Sequence, residues 1–117
     1  MQHRPIKILL VEPDEDYIDE LEAGLSVSHA GVLEIEWVGE LSQALARLTQ
    51  GGLDAVLLSL DLPDSQGMVT FDRAYAFAPD VPILIVSDAA DEEAAVSTVQ
   101  AGAQDYLVKS EVGPSPV

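Results

Sequence analysis

The chain has 117 residues, 48% of them hydrophobic, and carries 21 acidic against five basic side chains for a net charge of −16. That length is one domain able to bury a core, and that hydrophobic share excludes a disordered chain. So acidic a surface repels nucleic acid and membranes get no spanning segment from it, while the absence of cysteine excludes disulfides and thiol chemistry and fits a cytoplasmic location.

Residues 1–5, Met1-Gln2-His3-Arg4-Pro5, form a short leader without a signal-peptide core. Ile6-Lys7-Ile8-Leu9-Leu10-Val11 is then a nearly continuous apolar run, the pattern of a strand buried on both faces. Glu12-Pro13-Asp14-Glu15-Asp16 places proline and acids where a helix starts, and Tyr17, Ile18, Leu21 and Leu25 recur at helical spacing. Leu33, Ile35 and Trp37 alternate with Glu34 and Glu36, as in a half-exposed edge strand. Leu41, Ala44, Leu45 and Leu48 make a second helical stripe, closed by Gly51-Gly52.

Leu53 to Leu60 reads as another buried strand, followed by the loop Asp61-Leu62-Pro63-Asp64-Ser65-Gln66-Gly67. A third helix is expected from Met68 to Ala78, a fourth strand from Val81 to Val86, and a fourth helix from Glu92 to Ala101 with caps offered by Asp88 to Asp91. Asp105-Tyr106-Leu107-Val108 is the fifth strand. Strands alternating with helices predict an α/β fold: a doubly wound, five-stranded parallel sheet in the flavodoxin-like order 2-1-3-4-5, with its site beyond the carboxyl ends of the strands. The expected domain spans 6–110. Residues 111–117 hold one glycine and two prolines, too few and too irregular for a full fifth helix, so they read as a linker or the start of a truncated one. A sheet left uncovered there would favour self-association into a dimer.

Four pieces of sequence together resemble the response-regulator receiver (CheY-like) family of two-component signalling. They are Ile8-Leu9-Leu10-Val11-Glu12, Asp54-Ala55-Val56-Leu57-Leu58, Leu62-Pro63-Asp64-Ser65-Gln66-Gly67 and Ala101-Gly102-Ala103-Gln104-Asp105-Tyr106-Leu107-Val108-Lys109. The resemblance implies a domain that takes a phosphoryl group from a kinase histidine onto an aspartate, using Mg²⁺ held by an acidic pair. Mapped onto this chain, the nucleophile position is Ser59, and the acidic pair aligns with Glu12 and Pro13. The hydroxyl position is kept as Ser87, the aromatic switch position as Tyr106, and the lysine as Lys109, with Ser110 where a proline commonly follows.

A hydroxyl without a base or metal is a poor nucleophile, and proline offers no side-chain oxygen. These departures mark a degenerate pseudo-receiver, not an enzyme, in which Mg²⁺ binding is lost or weak and no cofactor is expected. Glu12, Asp14 and Asp61 are three loose carboxylates near a strand end, and Lys109 should pair with Glu12 near Ser59 and Ser87. The expected function is protein–protein interaction with a partner or an attached output or sensor domain, with Ser87, Tyr106 and Lys109 as switch or contact residues. The alternative is a phosphorylatable receiver with Asp61 as acceptor and Mg²⁺ as cofactor. Strand geometry displaces Asp61 by about 6.6 Å from Ser59, which weighs against it. His3 and His29 have no nucleophilic partner at a recognisable spacing, and the acids at 12–15 would repel the phosphate of a flavin.

Overall fold

A computed structural model describes residues 5–28 and 33–109. Residues 1–4 of the leader, the loop carrying His29 and the tail after Lys109 lie outside the described residues, as does the side chain of Leu25.

Five parallel strands form the main sheet: β1 (Ile6–Val11), β2 (Leu33–Val38), β3 (Ala55–Ser59), β6 (Ile83–Ser87) and β7 (Asp105–Val108). Their spatial order is β2-β1-β3-β6-β7, the order expected from the sequence. The helices that connect them are α1 (Glu15–Ser28), α2 (Leu41–Leu48), α3 (Met68–Phe77) and α4 (Glu92–Ala101). Crossover helices cover both faces, which is why β1 and β3 are apolar at consecutive positions instead of alternating.

Alternate residues of the central strands feed two cores. Leu9, Val11, Val56, Leu58 and Ile85 pack with Leu41, Ala44, Phe71, Ala74 and Ala95 of α2, α3 and α4. On the opposite face Ile8, Leu10, Leu57 and Val86 meet Ile18 of α1. Among the described residues α1 is the one helix on that face, and Leu107 of the edge strand is 44% exposed. No described helix follows β7, and none of those present is long and apolar enough to cross a membrane.

Three local features differ from the sequence expectation. The third strand begins at Ala55 and the fourth at Ile83, each two residues later than its apolar run, because a run marks burial and not ladder pairing. The 61–67 loop folds into a two-stranded ribbon, β4 (Asp61–Leu62) against β5 (Ser65–Gln66), with buried Leu62 as its anchor. Gly67 then starts α3 at φ +73°, a conformation that side chains disfavour, while its N–H donates to the Leu60 carbonyl at 2.8 Å. Finally, Asp88 and Asp91 do not cap α4 through their side chains. The backbone tightens there into a 3₁₀ turn, Ala89–Asp91, in which the Asp91 N–H bonds the Asp88 carbonyl at 2.9 Å.

Candidate functional site

The carboxyl ends of β1, β3, β6 and β7 lie side by side, so the residues that leave them converge at one edge of the sheet. Glu12 follows β1, Ser59 ends β3, Ser87 ends β6 and Lys109 follows β7. Backbone pairing fixes these ends: the Lys109 N–H donates to the Ser87 carbonyl at 2.7 Å, and the Leu60 N–H to the Val86 carbonyl at 3.2 Å.

Glu12 is the charge at the centre. Its side chain is fully buried. Oε2 accepts from the Lys109 ammonium at 2.8 Å and from the Asp14 N–H at 3.0 Å. This is the lysine–glutamate contact expected from the sequence. A carboxylate at this depth is tolerable because it is paired and hydrogen-bonded. Its other oxygen, Oε1, and the Ser87 hydroxyl have no hydrogen-bond partner, the two buried side-chain atoms of that kind among the described residues. Buried polar groups are ordinarily hydrogen-bonded, so two orphaned atoms at one sheet edge mark it out from the core. Ser59 is buried, and its Oγ accepts from the Asp61 N–H at 3.3 Å.

Two aromatic side chains complete the surroundings, and the sequence patterns had given neither a role in the site. The Lys109 ammonium sits 4.8 Å above the ring centre of Tyr17 in the first turn of α1, a cation–π contact. Burial pushes the Tyr17 hydroxyl above the ordinary tyrosine pKa, with the Lys109 charge opposing that shift and Glu12 and Glu20 adding to it. Trp37, at the end of β2, donates its indole N–H to the Glu12 backbone carbonyl at 2.6 Å. The only available signal was position: an aromatic one turn into the helix after the acids, and a tryptophan ending an edge strand.

The carboxylates considered together from the sequence are not the ones brought together. Glu12 faces Lys109 and the Asp14 amide, while Asp61 gathers with Asp88 and Asp91, their oxygens within 4.8 Å of one another. Tyr106 packs partly against the core of the α2–α4 face and donates its hydroxyl to Glu92 Oε2 at 2.9 Å. That hydrogen bond holds its pKa above the usual value, reinforced by the Glu92 charge. Asp64 caps α2 from the ribbon, accepting the Leu41 and Ser42 N–H groups at 2.7 and 2.9 Å.

A five-stranded parallel sheet of this order is the flavodoxin-like doubly wound architecture, and the lysine and carboxylate meet where such sheets carry their sites, at the carboxyl ends of the strands. Residues 8–113 match the response regulator receiver domain family, and the chain belongs to it. It is 31% identical over 103 residues to the transcriptional regulatory protein PrrA of Mycobacterium tuberculosis, covering 88% of this chain and 43% of PrrA. It is 35% identical over 106 residues to the transcriptional regulatory protein QseB of Haemophilus influenzae, covering 89% of this chain and 46% of QseB. The chain thus spans less than half the length of these curated relatives. Among solved structures it is similar to a CheY-like receiver domain protein from Methanospirillum hungatei, with a TM-score of 0.76, 25% identity and coverage of 95% of this chain and 86% of that one.

Proposed function

We propose that this receiver domain signals by binding proteins and does not accept a phosphoryl group on an aspartate. The observation that carries the reading is the Lys109–Glu12 pair at 2.8 Å beside a third strand that ends in Ser59. In a receiver the lysine answers the negative charge of acceptor and phosphate. Here a single buried glutamate answers it instead.

The donors at the strand ends do not fit Mg²⁺. That ion demands a near-octahedral shell of hard oxygens. Pro13 supplies none, Ser59 a neutral hydroxyl already bonded to the Asp61 amide, and Glu12 one oxygen shared by Lys109 and Asp14 beside a single buried, unpartnered one, too few donors for such a shell. A second cation would sit against an ammonium 2.8 Å from that same carboxylate. Metal binding is therefore lost or weak, and the domain is not catalytic.

Its output is a protein partner or a linked output or sensor domain, with Tyr106 and the α4–β7 face as the contact surface. The names of the relatives, transcriptional regulatory proteins, fit a receiver that controls a separate output module. At −16 the domain does not itself bind nucleic acid. A phosphorylatable domain with Asp61 as acceptor is the second reading, favoured by the approach of Asp61, Asp88 and Asp91. Against it, Asp61 is exposed and Lys109 is committed to Glu12.

The test is incubation of the protein with Mg²⁺ and acetyl phosphate, followed by intact-mass analysis. The proposal expects an unmodified mass. A stoichiometric phosphoryl adduct, labile to hydroxylamine and absent in Asp61→Asn, would establish the second reading.

A further inference from the structure

A cleft of about 420 Å³ opens beside the strand ends, on the α2 side of Glu12. Pro13 and Pro63 form part of its walls, Trp37 presents an indole that is 43% exposed, and Glu40 and Gln43 stand at the start of α2. Among the described residues no basic side chain lines it. From these features we infer that the cleft is a docking site for an arginine side chain carried by a partner protein.

The chemistry of each wall selects that group. Trp37 is the aromatic with the strongest attraction for a cation over its face, and its hydrogen bond to the Glu12 carbonyl fixes the indole in place. Glu40 makes no capping hydrogen bond to α2, because Asp64 holds the Leu41 and Ser42 amides, so its exposed carboxylate is left for another partner. A planar guanidinium stacks on an indole while its N–H fork meets a carboxylate, which the ammonium of lysine does less well. The proline walls suit the aliphatic stem of the same side chain. A net charge of −16 draws a cationic segment toward the domain before contact. The volume lies within the range of small-ligand clefts. The cleft does not depend on the state of Ser59, since a phosphorylatable domain would carry the same walls.

Trp37 is the sole tryptophan of the chain, so its emission reads the cleft directly. The full chain is titrated with a capped alanine peptide bearing one central arginine, and with the same peptide bearing citrulline, which keeps the shape and removes the charge. A saturable change in Trp37 emission is expected with arginine, with the citrulline peptide weaker by about fivefold or more. Glu40→Gln should weaken arginine binding by about the same factor while its thermal melt stays unchanged, and added salt should weaken it further. Equal response to the two peptides, no saturation with either, or undiminished binding by Glu40→Gln would overturn the inference. So would an emission change on raising the protein concentration alone, because a second copy would then be the occupant.

Discussion

The ammonium of Lys109 and the carboxylate of Glu12, 97 residues apart in sequence, meet at 2.8 Å, with the lysine partly open to solvent and the glutamate wholly closed off. They join the end of the central strand β1 to the end of the edge strand β7. Removing one partner strands the other. Lys109→Met should cost about 2–3 kcal/mol in urea unfolding, short of the full penalty for a sealed pair because the lysine is 22% exposed. Lys109→Met combined with Glu12→Gln should recover part of that loss, since no bare charge remains buried.

Tyr17 makes the pocket sensitive to alkali. Its hydroxyl titrates above the ordinary tyrosine pKa in the fold because burial disfavours the phenolate. A pKa raised by folding contributes stability that is complete below the unfolded value, about 10, and is lost as pH rises through the folded one. Tyr17→Phe keeps a ring beneath Lys109 and should flatten this part of the alkaline limb of the stability curve. Chemical unfolding across that range is the check.

Asp64 governs the acid side. The Ser42 amide, then the Leu41 amide, hold its carboxyl below the usual aspartate range. A depressed pKa contributes stability that is present above the unfolded value and is lost as pH falls through the folded one. Asp64→Asn should therefore narrow the stability difference between neutral pH and a pH acid enough to protonate the depressed carboxyl, where both forms lack the charged cap. Thermal melts at the two pH values measure it.

At Gly102, which ends α4 at φ +133°, a side chain would crowd the ring of Tyr75. A Cβ built there would stand 3.0 Å from Cζ of Tyr75, whose ring stacks on Phe71 at 5.2 Å between centroids. Gly102→Ala should destabilise by about 2 kcal/mol, combining backbone strain with a shift of the Tyr75 ring, as read by a urea midpoint.

The order of strands was readable because β1 and β3 are apolar without alternation while β2 alternates, which separates central strands from an edge. The Glu12–Lys109 contact was readable because the receiver resemblance sets the lysine against acids at the end of β1, and Glu12 is the acid of that pair retained here. Contacts that rest on the path of a loop were not. Asp64 looked like a turn residue, and only the ribbon at 61–66 swings its carboxylate onto the start of α2. Asp88 and Asp91 looked like caps, and only the 3₁₀ turn brings them to Asp61. Trp37 showed an edge-strand pattern, yet its indole reaches a backbone carbonyl 25 residues away, a bond that no residue type announces.

In the proposed function, a hydroxyl at 59 and a pyrrolidine at 13 deprive the receiver scaffold of its phosphoryl chemistry. Its most direct measurement compares the unaltered protein with the double variant Pro13→Asp, Ser59→Asp, each treated in parallel with Mg²⁺ and phosphoramidate and weighed intact. The account predicts a hydroxylamine-labile phosphoryl adduct on the double variant and none on the unaltered chain. An adduct of equal yield on both would contradict it.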